Sequence, residues 1–170
     1  MSEITIAGYV PGALGRVAEL HADYYSKAWG FGLYFEAKVA SELAEFLRRF
    51  DPATDGFWTA SRNGRVEGSI AIDGAGAKAE GAHLRWFILS EALRGQGAGH
   101  RLLQEAVGFC RARGYARVYL WTFAGLDAAR HLYEKSGFRL EQQIEGEQWG
   151  KRLLEQRFVL ALACVRGAGA

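Results

Sequence analysis

A chain of 170 residues, 49% of them hydrophobic, suits one domain with a full core. Its 21 lysines and arginines against 19 aspartates and glutamates leave a net charge of +2, and no block of five like charges occurs, so no nucleic-acid surface is indicated. The two cysteines, Cys110 and Cys164, offer neither a disulfide framework nor metal spacing, no stretch of about 18 apolar residues could span a membrane, and the opening Met-Ser-Glu-Ile-Thr-Ile lacks a signal peptide's basic start and apolar run. A cytoplasmic protein without a metal site fits these features, with residues 1–170 as a single domain and a loose tail over 166–170.

In chain order, Ile4 to Val10 reads as a first strand ended by Pro11-Gly12. Leu14, Val17, Ala18, His21 and Tyr25 then make one face of a helix from Leu14 to Tyr25. Ser26 to Phe35 mixes Trp29, Phe31, Tyr34 and Phe35 with Gly30 and Gly32 and reads as a shaped loop. Val39, Leu43, Phe46 and Leu47 define a second helix that Asp51-Pro52 closes. Phe57 to Ser61 and Val66 to Ile72 flank Asn63-Gly64, the preferred dipeptide of a two-residue primed turn, and so predict a hairpin.

His83 to Leu89 is too apolar and β-prone for a loop and too short for a helix, so it reads as a buried strand. After the turn Leu93 to His100, residues Leu102, Leu103, Ala106, Val107 and Cys110 form the apolar face of a helix. Ala116 to Thr122 is a further strand, which completes a βαβ pattern. Asp127 opens a short helix that stops at Gly137, and Phe138 to Ile144 and Gln156 to Leu162 are two closing strands.

The turn is the first feature with chemistry in it. First-turn N–H groups of a helix lack intrahelical partners and carry the positive end of the dipole, so a strand, a glycine-rich turn and a helix make an anion site. Gly95, Gly97 and Gly99 remove the Cβ atoms that would hold a pyrophosphate away, and Arg94, His100 and Arg101 add cationic or donor groups. The segment is not a Walker A loop, since no Gly-Lys-Ser/Thr follows. It is not a dinucleotide fingerprint either, because Leu102 stands where the third glycine belongs.

Arg94-x-x-Gly97-x-Gly99 resembles the (Gln/Arg)-x-x-Gly-x-(Gly/Ala) acetyl-CoA signature of the GNAT N-acetyltransferases, and Ala129-x-x-Leu132-Tyr133-x-x-x-Gly137-Phe138 resembles that family's second signature. Leu120-Trp121-Thr122 and Asp127-Ala128-Ala129-Arg130 are similar to the acetyltransferase half of bacterial proteins that fuse a MarR-type DNA-binding domain to this fold, although no helix-turn-helix precedes them here. The resemblance implies a layered α/β (α+β) fold: a mixed, mostly antiparallel sheet with two splayed parallel central strands, flanked by helices. It also implies acetyl-CoA as cosubstrate, with Phe87, Ile88 and Leu89 on the pantetheine arm and Arg94, Gly95, Gln96, Gly97, Ala98, Gly99 and His100 on the pyrophosphate. Where the family often has a cofactor-holding asparagine this chain has Leu126, and Thr122, Asp127 or Arg130 is expected to compensate.

Transfer from a thioester to an amine needs a neutral amine, a donor to the thioester oxygen and an acid for the departing thiolate. An alkylammonium with a pKa near 10 is neutral in only about one molecule in a thousand at pH 7. By resemblance Tyr133 is the acid, and a backbone N–H of Phe87 or Ile88 is the oxygen donor. His83 falls where one branch of the family places a basic glutamate, and an imidazole of pKa about 6.5 could accept the proton; Glu145 and Glu147 are rivals. On the acceptor side the candidates are Tyr24, Tyr25, Trp29, Phe31, Tyr34, Trp121 and Trp149 as aromatic walls, with Glu145 and Glu147 as carboxylates. Arg85 instead suits a substrate carboxylate, as in an amino acid or a peptide end.

The leading expectation is an enzyme that acetylates a primary amine of a small molecule or peptide. A non-catalytic acetyl-CoA or coenzyme A sensor and a transferase of another acyl group stay open. The apolar residues of the last two strands either support a homodimer or complete the core.

Overall fold

The computed structural model describes residues 2–163; Cys164 and the expected tail lie outside them. Strand β1 (Thr5–Ala7) precedes helices α1 (Ala13–Trp29) and α2 (Leu33–Arg48), then β2 (Gly56–Arg62), β3 (Arg65–Asp73) and β4 (Ala82–Leu89). A single turn of 3₁₀ helix (Glu91–Leu93) leads to α3 (Ala98–Ala112), β5 (Arg117–Phe123), α4 (Asp127–Lys135), β6 (Arg139–Gly146) and β7 (Leu153–Ala161). The seven strands run in the order β1-β2-β3-β4-β5-β7-β6, and every neighbouring pair is antiparallel except β4 with β5.

The hairpin stands where the sequence places it, with Asn63 at φ 52° and Gly64 at φ 73°, the two left-handed residues that a primed turn needs. Two expectations are corrected. The first strand is only three residues long, Thr5–Ala7, and not Ile4 to Val10. Ser26 to Phe35 is not a loop either: α1 continues through Trp29 and α2 starts at Leu33. Gly30, left-handed at φ 69°, donates its N–H to the Ser26 carbonyl and ends α1, so the glycines make a corner between two helices while the aromatics belong to the helices themselves.

Each face of the sheet carries its own layer. On one face Leu102, Leu103, Ala106 and Cys110 of α3 pack with Ile70, Ile72, Leu84, Leu120 and Phe158. On the other, Val17 of α1 and Phe35, Val39, Leu43 and Phe46 of α2 pack with Phe57, Ala71, Trp86 and Phe123. Full burial of a side chain such as Leu102 or Leu43 contributes roughly 2 kcal/mol relative to exposure, so the helices are held by these stripes more than by their intrinsic propensity. Among the described residues no helix is long and apolar enough to cross a membrane, and no group of three or more His, Cys, Asp or Glu could hold a metal ion.

Two irregularities in β4 open the middle of the sheet. Its parallel pairing with β5 is confined to Ala82 with Val118 and His83 with Tyr119, after which the strands diverge. Against β3, Ser69 faces Ile88 while Ala71 faces Arg85, so the register slips at Trp86, a non-glycine residue at φ 46°. This bulge reverses the alternation of the strand. Ala82 and Leu84 face the α3 side before it, Phe87 and Leu89 face that side after it, and Trp86 turns into the α2 layer.

Candidate active site

Two cavities flank the diverging ends of β4 and β5. The larger, about 630 Å³, is walled by Phe87, Ile88 and Leu89 of β4, by Leu93, Arg94, Gly95, Gly97, Ala98, Gly99 and His100, by Tyr24 and Tyr25 of α1, and by Gly125 to Ala129 with Leu132. Gly97, left-handed at φ 78°, caps α3 with no side-chain bond to the helix end, and the first intrahelical bond is from the Arg101 N–H to the Gly97 carbonyl. The N–H groups of Ala98, Gly99 and His100 thus stand ahead of the first helical bond, at the positive end of the dipole and on the cavity wall. A Cβ at Gly99 would come within 3.0 Å of Leu89 Cδ1 and 3.3 Å of Leu132 Cδ2, so the absence of a side chain lets α3 close against β4 and α4. Arg94 lies over the Tyr24 ring at 4.8 Å and donates from Nη2 to the Leu89 carbonyl, which fixes its guanidinium beside the turn.

The second cavity, about 290 Å³, lies between the α1 and α2 layer, the sheet and the β6–β7 turn. Tyr25, Phe35, Trp86, Trp121, Phe123 and Trp149 supply aromatic walls, and Lys38, Glu42, His21, His83, Arg85, Thr122 and Gln148 supply polar ones. The two cavities share Tyr25, Phe87 and Leu126, so they meet beside the bulge, at the mouth of the splay.

A glycine turn at the start of α3, a splayed parallel pair and a bulged β4 coincide here with a match of residues 14–138 to the Acetyltransferase (GNAT) family model. The chain belongs to the GNAT acetyltransferase family. An uncharacterized N-acetyltransferase of Methanocaldococcus jannaschii is 28% identical over 131 residues, which are 73% of this chain and 57% of that protein; the chain thus spans little more than half of that relative's length. An acetyltransferase structure from Streptococcus agalactiae superposes with a TM-score of 0.76 at 21% identity, over 94% of this chain and 98% of the other. YncA of Salmonella typhimurium, solved with its cofactor acetyl-CoA, superposes with a TM-score of 0.75 at 17% identity, over 98% of each chain. These likenesses show the GNAT fold; the narrower likeness to MarR-fused members is not among them.

Within the GNAT frame, most residues expected at the cofactor lie in the larger cavity: Phe87, Ile88, Leu89, Arg94, Gly95, Gly97, Ala98, Gly99, His100 and Asp127. Three do not. Gln96 turns away, its amide nitrogen donating to the Ala92 carbonyl and its oxygen accepting from Arg62. Arg130 lies over the Phe158 ring and donates to Glu134 at 3.0 Å, so it lines neither cavity. Thr122 lines the second cavity.

Tyr133 is buried and lines neither cavity. It packs against Phe87, Phe138 and Phe158, with ring centroids 6.0, 5.8 and 6.4 Å away. Burial, followed by the charge Tyr25 would carry if ionised, raises its phenol above the ordinary tyrosine range, which makes it a weaker acid than a free tyrosine. His83 does line the second cavity, but its ring stacks on Tyr119, and burial together with the charges of Arg85 and Arg157 lowers its pKa to about 3. An imidazole held that far down is a poor proton acceptor, which argues against the base role expected of it.

On the acceptor side Tyr25, Arg85, Trp121 and Trp149 are in the wall, whereas Trp29, Glu145 and Glu147 are not. Trp29 stands behind it, edge-on to Phe123 at 4.8 Å and against Gly125. Glu145 and Glu147 are exposed, and Glu145 pairs with Arg152. The turn presents Gln148 and Trp149 to the cavity instead, because the buried Glu155 carboxylate accepts both the Gln148 backbone N–H at 2.9 Å and its side-chain amide at 2.8 Å. Sequence reasoning missed His21, Lys38 and Glu42 as site residues. Lys38 and Glu42 are spaced i,i+4 beside the apolar face of α2, a pattern that marks a helical ion pair without telling which side of the helix meets a cavity.

Proposed function

We propose that this GNAT protein transfers an acetyl group from acetyl-CoA to the primary amine of a small molecule or peptide. The observation that carries this reading is that a glycine-lipped cavity and an aromatic, polar cavity meet at Tyr25, Phe87 and Leu126. The larger cavity suits acetyl-CoA by its donors: the Ala98, Gly99 and His100 N–H groups and Arg94 for the pyrophosphate, and the β4 backbone from Phe87 to Leu89, with no strand partner on its β5 side, for the pantetheine amides. Acetyl-CoA supplies an activated thioester.

The chain's own groups do the rest. The bulge at Trp86 interrupts the β3–β4 register beside the splay, and a backbone N–H of Phe87 or Ile88 there is the donor assigned to an oxygen that gains negative charge. Tyr133 lines neither cavity but packs against Phe87, where the two meet, and its phenol, protonated at neutral pH as any tyrosine is, is assigned delivery of a proton to the departing sulfur. A mostly aromatic cavity favours the uncharged form of an entering amine through loss of water. The amine leaves its first proton to water on entry, and the proton its nitrogen sheds as the amide forms balances the one that Tyr133 gives to sulfur.

The test is release of coenzyme A thiol from acetyl-CoA over a panel of amines, amino acids, polyamines and peptides. Amine-dependent release is the expected result. Stabilisation by acetyl-CoA with no release across the panel would favour a sensor, and faster release from a longer acyl-CoA would change the donor.

A further inference from the structure

We infer that the amine acceptor is a small molecule carrying a carboxylate beside its amine and an apolar side chain, as a hydrophobic amino acid does, and that Arg85 and Lys38 hold that carboxylate. The inference rests on the transferase reading of the same cavity and narrows it.

The charges facing the cavity decide its sign. Lys38 and Arg85 are cations and Glu42 is the one carboxylate in the wall. Glu42 is already matched on both oxygens: Lys38 Nζ is 2.5 Å from Oε1 and Arg85 Nη2 is 2.5 Å from Oε2. His21 and His83 are kept neutral by burial, so two cations stand against one anion. Asp73 stands 4.0 Å from Arg85 Nη1 outside the cavity wall, and it shares Arg49 with Asp55, so behind the wall the charges are paired while the wall itself presents Lys38 and Arg85. Among the residues that line the wall, cations outnumber carboxylates two to one, and it is these two cations that a ligand anion would meet.

The geometry agrees. The Arg85 guanidinium lies 4.1 Å over the Trp86 ring, which holds it flat along the wall, and only one of its nitrogens is used by Glu42, so others can bind a carboxylate. Aromatic rings make up much of the remaining wall, which fits an apolar side chain. A cavity of about 290 Å³ is at the small end of the roughly 300–1,000 Å³ range of ligand sites, so the acceptor is of amino-acid size. A polyamine, by contrast, would set a second cation against a wall already positive.

The experiment compares initial rates of coenzyme A release for leucine against isoamylamine, phenylalanine against phenethylamine and tryptophan against tryptamine, with spermidine included. The amino acid of at least one pair is expected to exceed its partner in kcat/KM by about 10²-fold, the effect of a charge-assisted contact in a site built for it. Arg85→Gln is expected to bring that ratio to within a few-fold of one, Lys38→Met to lower it in part, and Arg85→Lys to restore some of it. Amines without a carboxylate turning over as well as the amino acids, or spermidine as the better acceptor, would overturn the inference and leave the transferase standing. Calorimetric titration of the N-acetyl amino acids into the protein with coenzyme A supplies a readout that needs no turnover. Binding weakened tenfold or more by Arg85→Gln supports the carboxylate site even if no amine is acetylated. Equal binding by the variant, or none by the parent protein, overturns it.

Discussion

The imidazole of His83 lies flat on the ring of Tyr119, with centroids 4.5 Å apart and planes inclined by 12°. The pair forms at the last residue where β4 and β5 still bond, so the ring is held by the sheet itself. With a pKa of about 3, His83 cannot give rise to a titration between pH 5 and 8. A His83→Ala variant is therefore expected to keep the position of any limb of its kcat/KM profile in that range. A limb that disappears would return His83 to the base role.

Tyr133→Phe is expected to lower kcat by about 10²-fold while the affinity for acetyl-CoA is retained, as for loss of a general acid. The ring is enclosed by Phe87, Phe138 and Phe158, so the change removes one oxygen and leaves the packing. Steady-state rates and a direct binding titration separate the two effects; an undiminished kcat would take Tyr133 out of the reaction.

Gly97 sets the entry to α3 from the left-handed region, with nothing within 4 Å of where a Cβ would stand. Gly97→Val is thus a test of backbone strain without a clash inside the protein. A loss of about 1–2 kcal/mol in stability is expected, along with weaker acetyl-CoA binding as the turn shifts its N–H groups. Chemical denaturation and calorimetry measure the two quantities.

Buried His21 makes the fold acid-sensitive. The Val17 carbonyl can only accept, so His21 Nδ1 carries the proton of their 2.8 Å bond, and burial lowers the ring's pKa to about 4 against 6.5. A folded-state pKa below the unfolded one means that the unfolded chain binds more protons, so the stabilisation is complete above pH 6.5 and is lost as pH falls toward 4. The loss from this residue is on the order of 3 kcal/mol. His21→Gln is expected to flatten part of the decline in urea midpoint between pH 7 and 4.5, and an unchanged decline would assign the sensitivity elsewhere.

Legibility followed locality. The hairpin, the glycine turn and the two strands around α3 were readable because each is specified within a few neighbouring residues: Asn63-Gly64 by its φ angles, α3 by its apolar spacing, and the cofactor cavity by residues that largely run in one stretch from Phe87 to His100. The smaller cavity draws on α1, α2, β4, β5 and the last turn, and no single stretch announces that Lys38 and Glu42 will meet Arg85. Residues beside a recognisable motif were the other source of error. Arg130 and Gln96 stand next to cofactor residues in sequence but point elsewhere, because adjacent positions on a helix or turn project in different directions. The bulge at Trp86 was likewise invisible, since an unbroken strand would keep Phe87 on the same face as His83 and Arg85.

The β6–β7 turn lies on the corner between the first two helices: Lys151 donates to the Trp29 carbonyl, and Gly150 leaves room for the Tyr34 ring. Gln148 and Trp149 of that turn wall the smaller cavity, whereas the residues of the larger one end at Leu132. On the ribosome, the lining of the larger cavity is thus fully translated while the smaller still lacks a wall. A chain stopping before Glu147 would carry every residue that lines the first cavity, yet it would lack β7, which pairs with both β5 and β6 and buries Phe158, so the strand that follows the turn completes the sheet beneath both cavities at once.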